Sequence, residues 1–427
     1  MDIKTSSPEL DEELVKPANW GDEAWVHAQF EWLRANDPLR RLEPNGFDPF
    51  WNVTKYHDLK EVEQNKNVFI NDPRPTLGPK MIQAAVEHLF GRKHAVRSLV
   101  QMDDPDHTKY RLLTQGWFGG PNLRKLQTDI DNLAQEYINR LADLGGECDF
   151  VKDVAAWYPL RVIMTILGIP EKDEPLMLKL TQELFGSRDP DIVRSFEPLD
   201  TGSDGKPLIL SVVEDFENYF IELSKERRKN PTDDLASVIA NAKIDGETLP
   251  ELETSGYYTI IATAGHDTTS ATTSGGLLAL IENPEEFAKL KNNSHEIMPT
   301  FIDETIRWVT PVRHFMRTAT QDYLLRDTEI KEGDSLILWY PSANRDEEVF
   351  NSPFDFKIDR NDTNHIAFGF GSHVCLGQHL AKMEMSILFE KLINQLDHIE
   401  LAGEPQYTQS TFVGGLKSLP IRYRMKE

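Results

Sequence analysis

Phe368–Gly369–Phe370–Gly371–Ser372–His373–Val374–Cys375–Leu376–Gly377 brings one thiol to the end of a glycine-rich loop, where a helical pattern begins. Glycines let the backbone turn tightly and approach a flat partner closely. The N–H groups at a helix start favour a thiolate and can hydrogen-bond its sulfur, tuning its electron donation to a metal. A lone cysteine is often just a small buried core residue. Phe, Gly, Cys and Gly at these offsets point instead to a thiolate ligand. A phosphate-binding loop does not fit, because no Lys-Ser/Thr follows the glycines.

Three more groupings carry chemistry. Asp267–Thr268 lies within Thr263–Ala264–Gly265–His266–Asp267–Thr268–Thr269. Neighbours on a helix point in different directions, so Thr268 can face a ligand while Asp267 faces a solvent channel. An acid beside an alcohol suits proton delivery to bound oxygen, and Ala264 and Gly265 leave room for it. The alternative is a kink whose Thr hydroxyls bond back to helix carbonyls. Glu304 and Arg307, in FIDETIRWV, share a helix face. Such pairs are usually solvated and weak. Arg360, in PFDFKIDR, can turn this one into a Glu–Arg–Arg cluster that fixes the irregular stretch before the Cys loop. His107 and Arg111, on a helix opening after Pro105, can grip one anion, or merely begin a surface helix. Arg317 and His373 are further donors of the kind a buried carboxylate needs. A zinc site drawn from His266, Asp267, His373 or His379 lacks ligand spacing.

These residues need a scaffold. Apolar periodicity predicts helices over 25–34, 122–145, 153–168, 171–185, 209–228, 295–309 and 376–395. A further helical pattern over 251–281 would span roughly 45 Å. It is weakened at its centre, where Gly and Thr are poor helix formers. Short strands are expected over 47–54 and 314–340, and an irregular stretch over 341–367. Residues 71–101 read as a long loop containing a helix, 186–208 as a mobile loop, and 1–24 as a loose arm before one domain over 25–427. No repeat or linker divides the chain.

The 427 residues make two domains the default from length alone. With 46 Lys+Arg against 70 Asp+Glu, the net charge of −24 opposes nucleic acid and anionic lipid. Two cysteines are too few for an iron–sulfur cluster and suit a reducing cytoplasm. The acidic start is no signal peptide, and no run of about 18 apolar residues suggests a membrane span.

Together the four groupings resemble the cytochrome P-450 superfamily of haem-thiolate monooxygenases over nearly all of the chain from about residue 25. The runs DEPLMLKLTQ, IATAGHDTTS, FMRTA, PSANRDEEVF and LGQHLAK resemble its bacterial terpineol-hydroxylating group. The resemblance implies one triangular, mainly α domain with a small β region, holding haem b. It makes Cys375 the axial ligand, with Phe368, Gly369 and Gly377 beside the cofactor. His107, Arg111, Arg317 and His373 would hold its propionates. Thr268 would hydrogen-bond oxygen and Asp267 relay protons. Thr263, Ala264, Gly265, Val312, Phe315, Phe412 and Val413 would contact substrate. The implied reaction puts one atom of O2 into a C–H bond of a small apolar molecule. Electrons would come from a 2Fe–2S ferredoxin and its NAD(P)H-dependent reductase, with Lys109, Arg111 and Lys382 as a landing patch. The implied protein is a cytoplasmic monomer that binds neither nucleic acid nor membrane. A peroxide-driven enzyme, a haem sensor and a cysteine hydrolase are the competing readings. The regions 71–101 and 186–208 depart from the group, which leaves the substrate open.

Overall fold

The long apolar periodicities become helices that bury their stripes against one another. The computed structural model describes residues 8–186, 189–192 and 207–426. Most of the loop expected over 186–208 lies outside them. Helices Gly120–Asp143, Tyr158–Leu167, Glu174–Phe185, Leu208–Lys229, Ser294–Val309 and Gln378–Gln395 lie close to their expected bounds. The first packs along Gln378–Gln395, and Leu208–Lys229 packs along helix Glu251–Ala264. Their shared core includes Phe150, Tyr158, Phe220, Tyr258, Phe301 and Phe389, all essentially buried.

The helix expected over 251–281 is two helices, Glu251–Ala264 and Asp267–Glu282, parted at Gly265–His266. Hydroxyls of Thr263, Thr268 and Thr272 donate to the carbonyls of Thr259, Ala264 and Thr268, at 2.8, 2.9 and 2.7 Å. Such back-bonding competes with the helix ladder and bends it. Gly265 is required for a different reason. A Cβ there would stand 2.8 Å from Ile163 Cγ1 and 3.0 Å from the Ile261 carbonyl oxygen.

A five-stranded sheet stands beside the helices, in the order Arg41–Leu42, Phe50–Val53, Ser335–Trp339, His314–Ala319, Phe69–Ile70. Phe50–Val53 runs parallel to Ser335–Trp339, and the other neighbours are antiparallel. Alternation along His314–Ala319 puts Phe315 and Arg317 on one face.

The loose arm expected over 1–24 is corrected where the structure describes it. Pro8–Leu14 is a helix and Pro17–Gly21 a 3-10 turn. Leu10, Leu14, Val15 and Trp20 are buried, and Trp20 stacks on Trp339 with ring centroids 5.0 Å apart. The Leu10/Leu14 pair four residues apart is a helical stripe, masked in composition by the acids between. Residues 71–101 contain the helix Lys80–Phe90 and a 3-10 turn, Leu99–Gln101.

Candidate active site

The Cys loop is held by its own backbone. The Cys375 N–H donates to the Phe368 carbonyl at 2.8 Å, closing the loop. Gly371 has φ +71°, and a Cβ there would meet the Glu63 carbonyl oxygen at 2.6 Å, so the helix Tyr56–Gln64 lies directly against the turn. The following helix starts at Gln378, two residues later than expected. Burial pushes the Cys375 thiol up, while the Gly377 N–H, the Arg111 guanidinium and the Gln378 N–H pull it down. The sulfur therefore has the predicted N–H donors but still needs a cation to remain a thiolate.

Behind the loop the three predicted structural residues meet. Arg307 donates to both oxygens of Glu304, at 2.7 and 2.8 Å, and Arg360 Nε donates to Glu304 Oε2 at 3.0 Å. The remaining guanidinium N–H groups go to carbonyls: Arg307 to Asn344 and Pro353, Arg360 to Asn351, Ser352 and Asp355. All three side chains are buried. The irregular stretch 341–367 is thus held by side chains instead of a ladder.

A cavity of about 600 Å³ opens over Cys375. Phe368, Gly369, His373 and Gly377 line it beside the sulfur. A Cβ added to Gly377 would meet nothing within 4 Å. Thr263, Ala264, Gly265 and Thr268 line it from the broken helix, and Val312, Phe315, Phe412 and Val413 from the sheet side. Val312 and Val413 pair in an isolated bridge, and the Phe315 and Phe412 rings sit 5.7 Å apart.

His107, Arg111, Arg317 and His373 line the same cavity. The two imidazoles stack at 3.8 Å. Burial, Arg317, His107 and Arg111 push His373 down to about 2, and burial and Arg111 push His107 down. His373 Nε2 accepts from Asn71 Nδ2 at 2.7 Å, whereas His107 Nε2 is buried without a partner. Such a concentration of donors and positive charge is a site for an anion.

Thr268 lines the cavity and Asp267, expected to face a solvent channel, does not; its Oδ1 lies 3.2 Å from His266 Nδ1, and burial raises its pKa. One expectation is corrected. The landing patch is not free charge. Lys109 pairs with Asp245 at 2.5 Å, Lys382 with Asp303 at 2.6 Å, and Arg111 turns inward to the Val374 carbonyl at 2.7 Å. In an acidic chain, carboxylates neutralise surface lysines locally. Of the zinc candidates, His266 and His373 have other partners. Among the described residues no three His, Cys, Asp or Glu side chains converge on one point.

Sequence reasoning missed three polar residues here and weighed a fourth, His266, only as a zinc ligand. Glu384 lines the cavity, fully buried, with one oxygen unpartnered. Glu63 accepts from Tyr340 Oη at 2.7 Å and Arg317 at 3.3 Å, and burial pushes it up to about 7. His266 is completely buried. Asp189, also completely buried, takes Lys417 at 2.9 Å and the Gln409 N–H at 2.8 Å, tying residues 189–192 to the loop that carries Phe412. The available signal was a charged residue on an apolar stripe, which Glu384 shows between Leu380 and Leu388 and the others do not.

Residues 46–425 match the family model described as Cytochrome P450. The chain is 42% identical over 426 residues to Cytochrome P450-terp of a Pseudomonas species, covering 99% of each. It is 31% identical over 422 residues to the steroid C26-monooxygenase of Mycobacterium tuberculosis, covering 96% of this chain and 92% of that one. The crystal structure of CYP108D1 from Novosphingobium aromaticivorans superimposes with a TM-score of 0.90 at 42% identity, covering 98% of this chain and 99% of that one. Mycobacterium marinum CYP268A2, in complex with pseudoionone, gives 0.86 at 30%, covering 95% and 97%.

Proposed function

The chain belongs to the cytochrome P450 family and is a monooxygenase that uses haem, O2 and a redox partner, and on that premise we propose that it hydroxylates a compact apolar molecule, a monoterpenoid such as terpineol or a small aromatic hydrocarbon. The observation that carries this reading is the apolar upper wall of the cavity, formed by Val312, Phe315, Phe412 and Val413 opposite Ala264. The likeness to P450-terp supports the same class.

The residues fit a haem. A buried thiol raised by burial needs a cation, and a metal deprotonates a coordinating thiol outright. The open space over Gly377 accommodates a flat ring. The unpartnered Nε2 of His107, with Arg111, Arg317 and His373, suits carboxylates. Bound there, a thiolate-held haem supplies the cleavage of O2, one atom entering the substrate and the other leaving as water. In this reading Cys375 Sγ holds the metal and the Gly377 and Gln378 N–H groups set its charge density. The four donors orient the ring through its carboxylates. Thr268 Oγ1 donates to the Ala264 carbonyl, which leaves its lone pairs to accept hydrogen bonds in the cavity. Asp267 holds the proton that Thr268 helps pass to the oxygen site. Phe315 and Phe412 exclude water from the reacting C–H bond.

Electrons come from a 2Fe–2S ferredoxin in this proposal, and the protein works as a cytoplasmic monomer. Its two cysteines are free, and among the described residues no helix is long and apolar enough to cross a membrane. The test is a panel of monoterpenoids and small arenes, read as the spectral shift that accompanies loss of iron-bound water, followed by turnover with NADH, reductase and ferredoxin. Micromolar shifts and hydroxylated product are expected for the compact terpenoids. Shifts only with long-chain or steroid ligands would overturn the substrate class, and product with peroxide alone would overturn the electron source.

A further inference from the structure

The break between the two central helices holds a histidine that the family-level reading leaves unused. His266 is 0% exposed, and its Nε2 lies 2.8 Å from the Ala156 carbonyl oxygen, just after the π-helical turn Val151–Ala155. A carbonyl can only accept, so Nε2 must carry the hydrogen. In a neutral ring this fixes Nδ1 as a bare lone pair. That Nδ1 makes no hydrogen bond and lies 3.2 Å from Asp267 Oδ1. A lone pair cannot rest against an ionised carboxylate at that distance out of water without cost. A proton between them removes the conflict, whether it sits mainly on the carboxyl oxygen or on the ring.

We propose that His266 Nδ1 and the Asp267 carboxyl together hold one exchangeable proton, and that His266 is a positioning residue that keeps this proton beside Thr268 for delivery to the oxygen site. The proposal rests on the reading of Asp267 and Thr268 as the proton route. Burial of Asp267 favours its neutral acid, and His266 counters this, so the proton is held without being locked. Delivery takes one proton from the pair toward the cavity and leaves a lone pair against a carboxylate. That arrangement favours rapid refilling. Water supplies the proton, since the Asp267 side chain keeps 18% of its surface exposed while His266 keeps none. The helix break is what makes the pairing possible: it ends one helix at Ala264 and starts the next at Asp267, so His266 sits at the joint with its ring turned to Ala156.

Two variants test this, His266→Phe, which keeps a ring without nitrogens, and His266→Gln, which can still donate to a carbonyl but cannot hold the extra proton. Haem content, thermal unfolding and the substrate-induced spectral shift establish that each variant is folded and loaded. The first readout is infrared. The carboxyl signature obtained by subtracting Asp267→Asn from the parent is compared with the one obtained by making the same subtraction in the His266→Phe background. The proposal expects the band to move, because the partner of the proton has gone; an unchanged band overturns it. The second readout is product per NADH and the solvent isotope effect on O2 consumption. Both variants are expected to lose product formation by on the order of ten- to a hundredfold and to show a larger isotope effect. Parent-like turnover and isotope effect in both, with Asp267→Asn impaired, would overturn the role of His266 and leave the Asp267–Thr268 route standing. Parent-like turnover in Asp267→Asn would overturn both.

Discussion

Two clusters at the cavity, the Glu304–Arg307–Arg360 group and the broken helix, are built on opposite principles. Below it, Glu304, Arg307 and Arg360 satisfy one another and five backbone carbonyls, and the Cys loop is closed by its own hydrogen bond and pressed against Glu63. Above it, Thr hydroxyls are turned back on their own helix, the helix is broken at Gly265–His266, and His266 Nδ1 and Thr273 Oγ1 are buried without hydrogen-bond partners. The lower side fixes a position to which a ligand must be held. The upper side keeps polar groups available, which is what moving protons requires. A fully satisfied buried network makes a site rigid, and a partly satisfied one is where function is found.

The sharpest way to break the comparison is to remove the centre of the satisfied side. Glu304→Ala leaves two buried guanidiniums without their shared carboxylate and should cost about 3–5 kcal/mol. Urea unfolding should show that loss together with poor haem retention. A cost under about 1 kcal/mol would mean that the cluster is not what holds the Cys loop.

Glu63 comes next. Burial raises its pKa from 4.5 to about 7. A carboxyl raised on folding contributes stability that is fully present below its unfolded pKa and lost as pH climbs through its folded one. The parent should therefore lose about 3 kcal/mol from this group between roughly pH 4.5 and 7. Denaturant titrations of Glu63→Gln across that window should lack this component of the slope; an identical slope in parent and variant would contradict it.

On the unsatisfied side, Thr268→Ala should leave the fold intact and uncouple the enzyme. NADH consumption continues, peroxide is released, and product per NADH falls by about tenfold or more. Unchanged coupling would remove Thr268 from the proton route. The smallest effect is expected at the edge of the cavity. Lys417 lies 2.9 Å from Asp189 and steadies the loop bearing Phe412. Lys417→Met should weaken substrate binding about fivefold, or about 1 kcal/mol, in a spectral titration.

Much of the lower side was legible because its signals are local. The Phe-Gly-Cys-Gly spacing and the Glu304–Arg307 pair lie within single segments, and Arg360 could be added because the cluster needed a second cation. The helix stripes at 122–145 and 376–395 were readable for the same reason, since periodicity is a property of one segment. The sequence did not reveal Glu63 meeting Arg317, or Asp189 meeting Lys417, because each pair joins residues more than two hundred positions apart. The packed start at Leu10, Leu14 and Trp20 was hidden by the acids around it. The break at Gly265–His266 was visible as weakness in a helix, but its consequence depends on where the Ala156 carbonyl falls, and no spacing rule gives that.

The most direct test of the account is the absorption of the haem-loaded, reduced protein under carbon monoxide. Ligation by Cys375 predicts the thiolate-type carbonyl spectrum, converted by Cys375→His to the histidine type. A histidine-type spectrum in the unaltered protein, or a thiolate-type spectrum that survives replacement of Cys375, would contradict it.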